Sequence, residues 1–278
     1  MSASVPSRAG DVSYTIRGEG RPLLLLHASL HDAHDFDTIV FQLADRFQTI
    51  TLDWPWHGAS LESTSKSREP SALLMAEVLE DFVTALDLPP AINIGNSVGG
   101  FAATRLAITH PHRVQALILV NTGGFTSWNV FSRLFCYCLG FPAVARIGLP
   151  YLIPAYMKTQ TASDVAILQK AATRARSLEG ASIAAALWRS FLANPHDLRS
   201  DAKAIHAPTL IIWGTKDIIF PVETAHIVQR SIPGSQLEFF EAGHVVFSSK
   251  PDEFLDVVKG CEVMQLQYKL IRIDRTKK

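Results

Sequence analysis

Cysteine is scarce in this chain, and net charge is absent. Cysteine occurs three times in 278 residues, at 136, 138 and 261. An odd count without framework spacing excludes a disulfide-stapled fold and suits free thiols in a reducing, cytoplasmic setting. Cys136-x-Cys138 has no second ligand pair behind it, so no metal site is read there. Lys+Arg and Asp+Glu both total 26. That balance argues against nucleic acid or an anionic membrane as the main partner of the chain as a whole. Met1 to Gly10 has no apolar run, so no secretory leader is read there. Long apolar runs are missing too. From Leu134 to Met157 only Arg146 is charged, but Pro142, Pro150 and Pro154 are expected to divide the stretch into short helices. No stable membrane span is expected, because spanning takes about 20 continuous helical residues. Contact of this stretch with a lipid surface stays open. No internal repeat, low-complexity tract or cofactor-binding motif is apparent, and no cofactor is expected.

What the chain does have is apolar bulk and alternation. Hydrophobic residues make up 47% of it, enough for one large α/β domain with an insertion or for two small domains. Strand signals at 11–17, 22–27, 47–53, 91–95, 114–121, 209–213 and 236–240 alternate with helical stretches at 71–86, 98–110, 222–231 and 251–259. Such alternation predicts a mostly parallel twisted sheet with helices on both faces. Residues 123–205 interrupt it. Helical, apolar and proline-broken, they are too long for a connection. The expected organisation is a core of residues 1–122 and 206–278 with an inserted helical cap at 123–205. The tail after Gly260 ends in Arg272, Arg275, Lys277 and Lys278 and reads as a loose, solvated terminus.

The most informative motif is Gly95-Asn96-Ser97-Val98-Gly99-Gly100, at the junction of a strand and a helix. A serine on so tight a corner is held in strained geometry with its hydroxyl exposed above the sheet. To attack a carbonyl at neutral pH it needs a base, and the base needs an acid to fix its tautomer. Two later loops supply candidates. Gly214-Thr215-Lys216-Asp217 follows one strand, and Glu241-Ala242-Gly243-His244 follows the next. In a parallel sheet these loops emerge at the edge where Ser97 stands. The chain order Ser, Asp, His is the one expected of a hydrolase sheet.

On these residues the chain resembles the α/β-hydrolase fold superfamily over about residues 11–260. The resemblance implies Ser97 as nucleophile, Asp217 as acid and His244 as base. Some relatives carry the acid one strand earlier, but Asn121 stands there. The resemblance also implies backbone N–H donors for a developing oxyanion at Val98 and Ser29. Two departures stand out. Where relatives begin the loop His-Gly, this chain reads His27-Ala28-Ser29-Leu30. Where they commonly show two glycines, Asp53-Trp54-Pro55-Trp56-His57-Gly58 keeps one. Trp54 and Trp56 either line the pocket or simply pack. The elbow is similar to that of carbon–carbon hydrolases of dienones and of some esterases, which makes Asn96 a candidate pocket residue. A carboxylate-binding arginine is then expected in the insert, Arg189 first, with Arg174 and Arg176 as alternatives. His31, Asp32, His34 and Asp35 resemble a metal cluster only loosely, and no metal is expected.

The function expected is a serine hydrolase acting on a hydrophobic small-molecule ester, lactone or ketone. The alternatives are a dienone-type carbon–carbon hydrolase, or a non-hydrolytic user of the fold such as a natural-product cyclase, a lyase or a ligand receptor. A neutral His244 is required for activity, so kcat/KM is expected to fall below about pH 6–7. A homodimer is compatible with the sequence, which leaves the oligomeric state open.

Overall fold

The computed structural model describes residues 2–60 and 68–261. The basic tail lies outside the described residues. Eight strands form one sheet: β1 Ser2–Ser7, β2 Gly10–Arg17, β3 Arg21–Leu26, β4 Phe47–Leu52, β5 Ala91–Asn96, β6 Val114–Val120, β7 Thr209–Gly214 and β8 Gln236–Phe240. Their spatial order is β1-β2-β4-β3-β5-β6-β7-β8. β2 runs antiparallel to β1 and β4, while β3 to β8 and β4 pair in parallel.

The period-2 geometry of strands divides the core in two. Leu24, Leu26, Ile50, Leu52, Leu117, Leu119 and Ile211 point to one face, where helices α2 (Ala72–Ala85), α3 (Val98–Thr109) and α8 (Val222–Ser231) cover them. Leu23, Leu25, Ile92, Ile94, Ile118, Val120 and Ile212 point to the other, against α1 (Val40–Ala44), α9 (Val246–Ser249) and α10 (Pro251–Gly260). α2 starts where the sequence signals it: Ser71 is the N-cap, and its side chain accepts from the Leu74 N–H. Both faces of the central strands are covered, which is why those strands read as unbroken apolar runs.

Between β6 and β7 come four helices, α4 Val130–Leu139, α5 Pro142–Met157, α6 Ala162–Arg176 and α7 Leu178–Ser190. Two expectations are corrected here. β1 was not expected, because Ser2–Ser7 offers a single apolar core residue, Val5. Pairing with β2 over the whole of Ser2–Ser7, not side-chain burial, makes it a strand. The prolines do not divide residues 142–157. Pro142 occupies the first turn of α5, where its missing N–H costs nothing, and Pro150 and Pro154 lie inside one helix of 16 residues. Leu149, Pro150 and Ile153 are buried there, so tertiary packing holds the helix together across its missing hydrogen bonds. Among the described residues no single helix is long and apolar enough to cross a membrane.

Candidate active site

Ser97 sits between β5 and α3 with φ +56° and ψ −115°, a conformation that costs a non-glycine residue about 1–3 kcal/mol. Three backbone hydrogen bonds hold it there: Ser97 N–H donates to Val120 O, while Phe101 N–H and Gly123 N–H donate to Ser97 O. The neighbouring glycines are required by space. A Cβ on Gly95 would meet Gly99 O at 2.5 Å, and one on Gly99 would run into the Leu26 carbonyl of β3. Asn96 is fully buried, and its amide donates to Val120 O and His244 O, both at 3.0 Å. It therefore ties the serine corner to the histidine loop and does not line the cavity.

Asp217, in the loop after β7, is buried with all its nearby partners donating. Its Oδ2 accepts from His244 Nδ1 at 2.6 Å and from Asn121 Nδ2 at 2.7 Å. Its Oδ1 accepts from Ile219 N–H at 2.8 Å and Phe220 N–H at 3.3 Å. With Nδ1 engaged, Nε2 is the nitrogen of His244 left for chemistry. The ring is held between Phe220, stacked at 5.7 Å, and Tyr156, edge-on at 5.2 Å, and the His244 N–H donates to Tyr156 O. Burial pushes the Tyr156 hydroxyl up, which keeps it neutral beside Asp217. Asn121 is the residue that composition alone could not assign. It lies at the end of β6 with φ +41°, in left-handed space that asparagine tolerates. Its Oδ1 accepts from Gly214 N–H at 2.9 Å while its amide holds Asp217.

Ser97 and His244 open on one cavity. Ala28, Ser29 and Val98 line it near the serine. Its walls are apolar: Trp128, Leu149, Leu187, Trp188, Phe191 and Ile219. Among the described residues, no Asp, Glu, Lys or Arg lines it. A second nucleophile-type side chain, Cys136, is also present, but burial pushes its thiol up to about 11, so it carries little thiolate at neutral pH.

The departures in the two loops now have physical reasons. Ala28 needs no left-handed backbone; the residue that adopts it is Leu30, with φ +69°. Leu30 N–H donates to His57 Nε2, and His57 Nδ1 donates to Pro55 O. His27 Nδ1 donates to Ala28 O, and Trp54 N–H donates to His27 Nε2. Both imidazoles are therefore neutral, and burial holds both below the ordinary histidine range. Trp56 has φ +65°, in the left-handed region that favours glycine. Neither tryptophan reaches the cavity over Ser97. Trp54 is fully buried in the core and donates its indole N–H to His27 O, while Trp56 is buried with its carbonyl bonded by Arg174.

The arginine expectation is also corrected. Arg189 pairs with Glu69 and donates to Gly140 O, outside the cavity. Arg174 serves Trp56, and Arg176 is exposed. The four residues at 31–35 do not converge. His31 pairs with Asp35, Asp32 with Lys170, and the exposed His34 with Asp37. The aromatic walls Trp128, Trp188 and Phe191 were not foreseen; they come from the insertion, where nothing in the local pattern says which side faces the serine.

A family model described as "Alpha/beta hydrolase family" matches residues 23–257. The chain belongs to this family. An uncharacterized protein of Mycobacterium tuberculosis is 31% identical to this alpha/beta hydrolase over 266 residues, which cover 89% of the chain and 76% of that protein. A pimeloyl-[acyl-carrier protein] methyl ester esterase of Nitrosomonas europaea is 29% identical over 249 residues, covering 86% and 94% respectively. Among solved structures, a thermophilic esterase from Thermogutta terrifontis superposes with a TM-score of 0.76 at 22% identity, covering 93% of this chain and 97% of that one.

Proposed function

We propose that this alpha/beta hydrolase is a serine hydrolase that cleaves a hydrophobic, uncharged small-molecule ester or lactone. The observation that carries the reading is the 2.6 Å contact between His244 and Asp217 beside a cavity that also receives the strained Ser97. In the proposed reaction His244 Nε2 takes the proton of the Ser97 hydroxyl as its oxygen bonds to the substrate carbonyl carbon. The resulting oxyanion is held by the N–H groups of Val98 and Ser29. Val98 N–H is the first of α3, so it has no partner within its helix and lies at the positive end of the dipole. His244 then gives its proton to the leaving alkoxide. Water, deprotonated by His244, cleaves the acyl-enzyme and returns Ser97 to its alcohol. Residues 123–205 act as a cap over a core of 1–122 and 206–278, excluding water from this chemistry.

The wall composition supports the ester or lactone reading over the dienone one. A dienone ring-fission acid brings a carboxylate, and among the described residues no cation lines the cavity to receive it. The methyl ester esterase among the relatives agrees with an ester substrate.

Turnover of p-nitrophenyl esters of increasing acyl length by the wild type and by Ser97→Ala tests the reading. The wild type is expected to prefer medium acyl chains, and Ser97→Ala to lose at least about a thousandfold in kcat. Full activity in Ser97→Ala overturns it.

A further inference from the structure

The chain's balanced total charge hides a local imbalance. Between Thr122 and Ser163 there is no Asp or Glu, while Arg133, Arg146 and Lys158 supply cations. That segment contains α4 and α5, which meet at 108°, and neither helix alone is long and apolar enough to cross a bilayer. Their inner sides pack into the core through Leu139, Ala145 and Ile153. Their outer sides are largely exposed. Phe131 is 83% exposed, Tyr151 80% and Ile147 70%, with Leu134, Tyr137 and Phe141 exposed between them. Apolar exposure so concentrated on two adjacent helices marks a contact surface.

We propose that this outer face of α4 and α5 docks on an anionic lipid bilayer, lying in the headgroup region without crossing it. Apolar and aromatic side chains with cations among them are the chemistry of an interfacial helix. Arg133 and Arg146 are both exposed; Arg146 also donates to Arg176 O, which leaves its charge unneutralised. Glu179 is an exposed acid at one edge, beside Pro142. A second copy fits the face less well. A two-fold contact sets the same patch against itself, so arginines would approach arginines with no acid inside the patch to answer them. The face also backs directly on the cavity: Cys136 of α4 and Leu149 of α5 line the space that holds Ser97. A lipophilic substrate dissolved in the bilayer would thus be delivered at the apolar wall. The docking itself does not rest on the serine chemistry.

Co-sedimentation of the whole protein with vesicles tests it, using phosphatidylcholine alone and phosphatidylcholine containing about one third phosphatidylglycerol. The partition coefficient is expected to be at least about tenfold higher on the anionic vesicles, in the wild type and equally in Ser97→Ala. A Phe131→Ser/Ile147→Ser/Tyr151→Ser variant is expected to lose at least about tenfold in partitioning. Arg133→Glu/Arg146→Glu, which leaves the apolar face intact, is expected to lose the anionic preference. Both variants should hydrolyse a water-soluble short-chain ester at the wild-type rate. No binding by the wild type to either vesicle overturns the proposal. So does unchanged partitioning in the triple variant, or an arginine variant that keeps the anionic preference. A wild-type dimer in light scattering that the triple variant dissolves, without vesicle binding, assigns the face to self-association instead.

Discussion

The cavity has a floor and a roof, built on opposite principles. On the floor, each carboxylate oxygen of Asp217 has two donors, and His244, Asn121 and the serine corner are linked by hydrogen bonds within the sheet edge. On the roof, α5 and α7 offer aromatic and aliphatic surface, and α4 adds Cys136. The floor rests on a few directional contacts, any one of which is expensive to lose once buried. The roof rests on many weak, non-directional ones, so single polar residues within it matter little. Directional contacts are therefore placed on the sheet edge, and the apolar wall is left to the insertion.

Removing a floor contact that never touches substrate gives the sharpest test of this division. In Asn121→Leu, Asp217 loses a donor and Gly214 N–H its acceptor. The expected results are a fall in kcat/KM of about ten- to a hundredfold and a stability loss of about 1–3 kcal/mol, read by ester turnover and chemical unfolding. Wild-type turnover would mean that the floor does not depend on its network.

A smaller effect concerns buried imidazoles outside the Ser97 and His244 pair. Burial keeps His27, His57 and His196 below the ordinary range, so the folded state refuses protons that the unfolded chain takes up near pH 6.5. Stability from these groups is full above about pH 6.5 and is lost as pH falls below it. His31 works the other way: burial alone would lower it, but the adjoining Asp35 carboxylate raises it, so its contribution fades as pH rises. With three groups against one, Tm is expected to fall between pH 7.5 and 5.5 in a thermal scan. A flat or rising Tm over that range contradicts the neutral assignments.

The smallest effect is expected on the roof. Arg189→Ala removes an exposed ion pair with Glu69, and exposed pairs contribute about 1 kcal/mol at most. Kinetics with neutral esters should stay within about twofold of the wild type. A tenfold loss would return Arg189 to the substrate site.

The same division explains what could be read from the residues alone. The strand ends that carry Ser97, Asp217 and His244 were legible because apolar runs bounded by turn residues fix where a loop leaves a parallel sheet. The helices at 222–231 and 98–109 were legible from their periodicity, and Ser71 from its capping chemistry. β1 was not, because an edge strand held by backbone pairing leaves little apolar pattern. α5 was not, because its prolines oppose the helix locally while packing decides in its favour. The directions of Trp54, Trp56 and Arg189 were not, because residue type does not say which side of a loop or helix meets the cavity. Asn121 was read only as a position without charge. Its bridge between β6 and the Asp217 loop depends on two strands far apart in sequence.

The central claim is that Ser97 is the hydroxyl activated by His244. Treating the folded wild type with a fluorophosphonate and mapping the adduct by peptide mass spectrometry tests it most directly. A single adduct on Ser97, slowed at least about a hundredfold in His244→Ala, is the predicted result. A protein that hydrolyses esters while its adduct falls on another residue, or that labels at Ser97 equally fast without His244, would contradict it.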